Sequence, residues 1–154
     1  MSALPTSHEL NVGMVGMHGN YGPNLLTNEC DLLVAIGMRF DDRVTGDPKT
    51  YANQAKIIHL DIDPAEINKN IKVEVPIIGD CKESLKLITE KIEKRSHEKW
   101  ISKFDDLMKI EFDKVINSDL NPSKKGLTMG ESIIAINEQT NGVCSLIAII
   151  DSPM

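Results

Sequence analysis

The sequence has little of what marks several common classes of protein. Only 4% of its 154 residues are aromatic, and no apolar run approaches the roughly 20 residues that span a bilayer. Residues 1–9 carry neither the basic start nor the apolar stretch of a signal peptide. There is no basic excess: the net charge is −6, which argues against a nucleic-acid backbone as the main partner. We therefore expect a protein that binds neither nucleic acid nor a membrane.

Cysteine and histidine are also sparse. Cys30, Cys81 and Cys144 stand far apart without metal-ligand spacing, which is typical of reduced thiols in a cytoplasmic protein. His18 and His59 lack a second ligand at metal spacing, so roles in a turn or in the core are expected. No Ser-His-Asp set, Cys-His set or Gly-Lys-Ser/Thr phosphate loop occurs. The residues alone predict no catalytic group and no metal ligand.

Short apolar runs alternate with helical patterns over the first part of the chain. The runs predict strands at residues 10–15, 31–36, 56–60 and 73–78. Helices are predicted at residues 23–29 and 82–94, with a short one opened by Pro64. Strands alternating with helices indicate an α/β fold, a parallel-sheet nucleotide-binding (Rossmann-like) domain of three layers. The continuous apolar run at 31–36 predicts a strand that is covered on both faces.

The remainder of the chain has a different pattern. Residues 97–117 form one long amphipathic stretch, and Thr128 followed by Glu131 predicts a capping box at the start of another helix. Residues 143–150 form a last apolar run, typical of a buried strand. These patterns predict three parts: a nucleotide-binding domain at 1–95, a linker helix and loop at 96–127, and the start of a further domain at 128–154.

Polar residues and glycines follow the predicted strands, where an open parallel sheet binds its ligands. Gly16 and Gly19 lie in a glycine-rich turn and are either tight-turn residues or ligand contacts. Asp61 ends a buried run and suits a ribose hydroxyl, although it could also cap the following helix; Asp63 is the better candidate for that cap, with Glu66 three residues later. Asp80 repeats the arrangement after the next strand, and capping is again the alternative.

The loop that follows the run at 31–36 carries four charges. Arg39 and Arg43 flank Asp41 and Asp42. They form either a surface ion-pair cluster or a clamp for an anionic ligand such as a phosphate. Their spacing does not choose between the two.

Four segments carry a family resemblance. They are residues 12–19 (VGMVGMHG), 29–46 (ECDLLVAIGMRFDDRVTG), 59–67 (HLDIDPAEI) and 75–80 (VPIIGD). In order and in spacing they closely resemble the large catalytic subunit of acetohydroxyacid synthase (acetolactate synthase), a thiamine diphosphate enzyme. The chain then resembles part of the middle domain, the linker and the start of the C-terminal domain of that subunit.

The resemblance implies an enzyme that condenses two 2-keto acids with loss of carbon dioxide, on the route to valine, leucine and isoleucine. It also implies FAD in a structural role in the middle domain, a cytoplasmic homo-oligomer and a small regulatory subunit. Thiamine diphosphate and Mg²⁺ bind, in this family, to parts that these 154 residues do not contain, so the chain alone is expected to be inactive. After residue 142 the family has a Gly-Gln-His-Gln-Met segment that is absent here.

The family's flavin contacts fall, by motif match, on twelve positions. They are Gly16, Met17, His18, Gly19, Gly37, Met38, Arg39, Asp41, Asp61, Ile62, Gly79 and Asp80. A non-catalytic nucleotide-binding or assembly module of the same origin is the alternative function. Another thiamine diphosphate enzyme, such as a pyruvate oxidase or an oxalyl-CoA decarboxylase, is a further alternative that the Met17-His18 element and the 39–46 block argue against.

Overall fold

The computed structural model of the chain describes residues 3–121 and 126–140. Two compact units are present, one ending at Met108 and one beginning at Lys109. Within the described ranges, no helix combines the length and the apolar character that crossing a membrane requires.

The first unit is built on a sheet of three parallel strands in the order β1-β2-β3. The strands are β1 (Leu32–Ile36), β2 (Lys56–Asp61) and β3 (Val75–Ile78). Leu32 pairs with Lys56 across the first ladder, and Ile58 pairs with Val75 across the second. Parallel strands need helical or looped crossovers, which the chain supplies between each pair. The predicted α/β fold class is confirmed.

Short helices connect and flank the strands. They are α1 (Tyr21–Thr27), α2 (Asp42–Thr45), a 3₁₀ turn (Pro64–Glu66) and α3 (Cys81–Thr89). Helix α3 was predicted to reach residue 94 but ends at Thr89. Beyond that point the only large apolar side chain before residue 96 is Ile92, which is 62% exposed. A further turn would have buried too little to offset its ordering cost.

The core of the first unit lies under one face of the sheet. Ala35 of β1 and Ile57 of β2 point to this face, and Leu33 packs against the same cluster. The segments 40–55 and 71–73 fold beneath them and contribute the other buried apolar side chains: Phe40, Tyr51, Ala52, Ile71 and Val73. A long connection with no strand of its own therefore provides one layer of the fold.

The other face of β1 is not fully covered, and the prediction for residues 31–36 is wrong in this respect. Leu32, Val34 and Ile36 alternate with the buried residues and are 50%, 47% and 45% exposed. Helix α3 lies against β2, where Leu60 is only 1% exposed. Among the described residues the helical cover is thus concentrated over β2, and the apolar stripe on β1 is left half exposed.

The strand predicted at residues 10–15 does not form. Gly13 and Gly16 both have φ near +104°, which is incompatible with an extended strand. The segment is held instead by local bonds, such as that from the Asn20 N–H to the Met14 carbonyl (2.8 Å). The prediction of a strand here is therefore wrong, and the hydrogen bonds of this segment belong to a loop.

The predicted amphipathic stretch at 97–117 is helical over its length. Helix α4 (Glu98–Glu111) leads into one π-helical turn (Phe112–Ile116) and then into α5 (Asn117–Leu120). On the part of α4 within the first unit, Trp100 and Phe104 pack edge to face at 5.7 Å.

The second unit contains α6 (Met129–Gln139), which begins with the predicted capping box. The Thr128 hydroxyl accepts a bond from the Glu131 N–H (3.1 Å), and the Glu131 carboxylate accepts one from the Thr128 N–H (2.8 Å). The strand predicted at 143–150 and the departure from the family after residue 142 lie outside the described residues.

Candidate functional site at the carboxyl ends of the strands

The carboxyl ends of the three strands meet around Asp61. The Gly37 N–H, which follows β1, donates to the Leu60 carbonyl (2.8 Å), and the Gly79 N–H, which follows β3, donates to the Asp61 carbonyl (3.0 Å). These two bonds extend the ladders by one residue on each side of β2. They bring together the three predicted segments at Gly37, Asp61 and Gly79.

Asp61 is nearly buried at this edge, and it does not cap the following helical turn. Its Oδ1 atom accepts a bond from the Asp63 N–H (2.9 Å), while its Oδ2 atom lies 3.8 Å from Nε2 of His59. The cap of the turn is Asp63, which accepts from the Ala65 N–H (2.9 Å), as predicted. The Asp61 carboxylate therefore keeps hydrogen-bonding capacity at the end of the strand.

Asp80 is the N-cap of α3. Its Oδ1 atom accepts bonds from the Lys82 and Glu83 N–H groups at 2.9 and 3.1 Å. The capping role, which was the alternative interpretation of Asp80, is therefore confirmed. A capping carboxylate still has a second oxygen, so the cap and a ligand contact do not exclude each other.

The four charges at 39–43 do not pair with one another among the described contacts. Asp41 caps α2 by accepting from the Val44 N–H (3.3 Å). Arg39 is 74% exposed, and its Nε atom lies 3.9 Å from the carboxylate of Glu66. The surface ion-pair cluster is therefore not formed, and Arg39 presents an exposed guanidinium beside the strand ends.

The glycine-rich turn at 16–19 docks onto the segment that follows this loop. The Met17 N–H donates to the Arg43 carbonyl (2.7 Å). A Cβ atom on Gly16 would lie 2.7 Å from that same carbonyl oxygen, and one on Gly19 would lie 2.5 Å from the Met14 carbonyl oxygen. Both glycines are required by the close approach of two backbones, which favours the tight-turn interpretation of their role.

Sequence reasoning missed Asn24, which fixes this turn from α1. Its side-chain amide accepts from the Gly16 N–H (2.7 Å) and donates to the Gly16 carbonyl (3.0 Å). Asn24 and Gly16 are eight residues apart with a loop between them, so no local sequence pattern predicts their contact.

A cavity of about 280 Å³ opens between the glycine-rich turn and α2. Gly16, Met17, Asn24, Arg43 and Tyr51 contribute to its lining. Burial raises the pKa of Tyr51, and the charge that Cys30 carries when it is ionised raises it further. The phenol is consequently neutral at physiological pH, and the charge of this wall comes from other side chains.

Cys30 lies beside this region as a free thiol. Burial raises its pKa, a backbone hydrogen bond lowers it, and the charge of Asp31 raises it slightly; the net direction is upward. Its Sγ atom donates to the Thr27 carbonyl (3.1 Å). A protonated, hydrogen-bonded thiol is a poor nucleophile, and Cys30 is a free thiol, as predicted.

Two predicted contacts are conspicuous for their exposure. Met17 is 72% and Ile62 is 70% exposed, which makes them the most exposed large apolar side chains among the described residues up to Met108. His18 is also exposed. Ile62 directly follows β2, whereas Met17 lies in the glycine-rich turn beside Arg43. Exposed apolar side chains near polar groups are common features of ligand sites.

The fold and this edge define a class of protein. Residues 1–88 match the central domain of thiamine pyrophosphate enzymes. Because this match covers more than half of the chain, the chain belongs to the thiamine pyrophosphate enzyme family, as the sequence resemblance implied.

Within that family the chain is similar to acetolactate synthase large subunits. It is 42% identical over 138 residues to a probable acetolactate synthase large subunit of Methanocaldococcus jannaschii, an alignment that covers 88% of the chain and 23% of that protein. It is 57% identical over 90 residues to the acetolactate synthase large subunit of Corynebacterium glutamicum, covering 58% of the chain and 14% of that protein. The chain therefore spans less than a quarter of these relatives.

Proposed function

We propose that the chain comprises part of the flavin-binding middle domain, the linker and the start of the C-terminal domain of an acetolactate synthase large subunit. In this proposal residues 1–95 belong to the middle domain, 96–127 form the linker and 128–154 begin the C-terminal domain. The observation that carries it is the convergence of the segments at Gly37, Asp61 and Gly79, held by two backbone bonds at one edge of the sheet. A part derived from the same family that binds a nucleotide without any catalytic role is the alternative.

The side chains at this edge fit FAD. An exposed guanidinium on Arg39 suits a phosphate oxygen, and the Asp61 carboxylate suits a ribose hydroxyl. Met17 and Ile62 offer exposed apolar surface to a ring system. FAD supplies a flat aromatic group and a diphosphate, and the chain's own residues bind and orient them; no redox step follows from this geometry.

We predict that the isolated chain binds FAD weakly, with a dissociation constant that is micromolar or larger. The candidate contacts come from one edge of a three-stranded sheet and one glycine-rich turn, and each contributes roughly 1–3 kcal/mol at most. Asp61→Ala should weaken binding about tenfold, because every 1.4 kcal/mol is a factor of ten. Quenching of flavin fluorescence in a titration measures this.

Asp80 needs a more careful variant because it caps α3. Asp80→Asn retains an N-cap of equal quality while removing the negative charge. If Asp80 contacts the ligand through its carboxylate, Asn weakens FAD binding and leaves the circular dichroism spectrum unchanged. Unaltered affinity in both Asp61→Ala and Asp80→Asn would remove the two residues from the site, and tight stoichiometric FAD would contradict the predicted weakness.

We further predict that the 154-residue chain forms no acetolactate from pyruvate, even with thiamine diphosphate and Mg²⁺ supplied. Catalysis on a bound cofactor requires residues that position and activate it. Among the described residues no cluster of three metal-ligating side chains occurs. A colorimetric assay on purified chain from a host without this enzyme tests the prediction, and any acetolactate above the no-protein blank would refute it.

The small regulatory subunit, the homo-oligomeric state and the cytoplasmic location implied by the family remain part of this proposal.

A further inference from the structure

The loop that follows β1 is contacted at three consecutive residues, 38–40. The contacts come from one residue of β2 and two residues that follow this strand. Nε2 of His59 lies 2.8 Å from the Met38 carbonyl oxygen. The Glu66 carboxylate lies 3.9 Å from Nε of Arg39, and Nδ2 of Asn70 donates to the Phe40 carbonyl (3.0 Å). We refer to His59, Glu66 and Asn70 as the loop-supporting residues.

The loop they contact has an unusual backbone. Gly37 and Phe40 both have positive φ, at +58° and +50°. For phenylalanine this left-handed conformation costs about 1–2 kcal/mol and persists only where surrounding contacts determine it. The Phe40 ring supplies part of the compensation, because it is 2% exposed and packs edge to face against His59 at 5.0 Å. The Phe40 carbonyl in turn accepts the hydrogen bond from Asn70.

His59 and Glu66 are themselves largely buried, whereas the Arg39 side chain that Glu66 faces is exposed. His59 is fully buried, and because a carbonyl accepts, its Nε2 must carry the proton; Nδ1 then has no described partner. The Glu66 side chain is 11% exposed and receives Lys69 at 2.8 Å on the same oxygen that faces Arg39. A buried N–H that lost its acceptor would be costly, so the bond from His59 holds the Met38 carbonyl in one position.

We propose that the loop-supporting residues are positioning residues: His59 and Asn70 hold the Met38 and Phe40 carbonyls, and Glu66 holds the Arg39 side chain, so that Arg39 faces the ligand at the strand ends. The ligand in this inference rests on the proposed function, whereas the support of the loop does not depend on any ligand. None of the three is among the twelve predicted contacts. They act through residues 38–40, and Arg39 is the group that meets the phosphate.

Asn70 provides the cleanest test, because it is exposed and its loss leaves the core intact. Trypsin cleaves after Arg39 only when this loop opens, so the cleavage rate, followed by mass spectrometry on the full chain without ligand, reports the support directly. Asn70→Ala should speed cleavage at Arg39 about threefold to tenfold, the factor expected for one hydrogen bond. Asn70→Asp keeps the shape but has no donor, and should behave as Asn70→Ala does.

Gln54→Ala is the matched control. Gln54 is also an exposed side-chain amide that donates to a distant backbone carbonyl, that of Cys30 (2.8 Å), but it does not contact the loop. Its loss should leave cleavage at Arg39 unchanged. An unchanged rate in Asn70→Ala, wild-type behaviour of Asn70→Asp, or an equal acceleration at Lys86 on α3 would each overturn the loop support.

Titration with FAD separates this inference from the proposed function. If wild-type chain binds FAD, Asn70→Ala should weaken binding by about the same threefold to tenfold; identical affinities would overturn the positioning of Arg39 for that ligand. If wild-type chain binds no FAD at all, the proposed function fails, while the cleavage rates still decide whether Asn70 supports the loop.

Discussion

At the scale of single residues, two glycines with positive φ have different reasons for being glycine. Gly16 has φ near +104° and backbone atoms of Arg43 where a Cβ would lie, whereas Gly37 has φ near +58° and open space around it. A methyl group on Gly37 meets only the left-handed penalty of about 1–2 kcal/mol. On Gly16 it also separates the turn from the Arg43 carbonyl that Met17 binds.

We therefore predict that Gly16→Ala destabilises the first unit by more than Gly37→Ala, by at least about 1 kcal/mol, since it loses a hydrogen bond as well as backbone freedom. Urea denaturation followed by circular dichroism measures both free energies of unfolding. Equal losses in the two variants would mean that the turn at 16–19 shifts away from Arg43 without cost.

At the scale of elements, the capping box of α6 is a local device with a long-range addition. The Thr128 hydroxyl also donates to the Asp119 carbonyl at 2.6 Å, so the residue joins the start of α6 to α5. Thr128→Ala should destabilise the second unit by about 1–2 kcal/mol, at the upper end for an N-cap. Thr140→Ala is the control, because its hydroxyl donates only within its own helix, to the Ile136 and Asn137 carbonyls. Amide exchange in the first turn of α6 distinguishes them, and equal protection in both variants would contradict the linking role.

Elements specified by neighbouring residues were predictable, and those that depend on distant partners were not. The caps at Asp63 and Thr128 and strand β2 follow from patterns within a few residues, and all three form as expected. The run at 10–15 has the right alternation for a strand but no ladder partner within the described residues, so it becomes a loop. A strand forms only when a neighbouring strand accepts and donates its hydrogen bonds, and the residues of one strand do not specify that neighbour.

The candidate site shows the same distinction between contacts that follow from the local sequence and contacts with distant residues. Asp61 and Gly79 could be placed at one edge because parallel strands end together, and their backbone bond is present. Glu66 was expected to complete a cap, yet its carboxylate faces Arg39 and Lys69 instead. Asn70, thirty residues from the carbonyl that it holds, was not anticipated at all. Side chains that support a loop from another element carry no local sequence signal.

At the scale of the whole molecule, the half-exposed stripe on β1 governs behaviour in solution. Leu32, Val34 and Ile36 are each 45–50% exposed on β1, one of the two edge strands of the described sheet. Completing the burial of such side chains contributes roughly 1 kcal/mol each, and an edge strand also offers unpaired backbone groups to another strand. Two copies meeting by a two-fold axis would pair the stripe with itself.

We predict that the chain self-associates as a dimer that dissociates on dilution. Burial of two stripes contributes roughly 6 kcal/mol, and pairing of the two edge strands adds to it, while the loss of translational and rotational freedom opposes association. Sedimentation velocity across a hundredfold dilution should show the mass falling towards one chain. Val34→Lys places a charge in the centre of the stripe and should shift the transition to higher concentration, whereas Ile92→Lys, at a site 62% exposed beyond α3, should not. A compact monomer at every concentration would show that the stripe is tolerated in water, and equal effects of the two lysine variants would place the contact elsewhere.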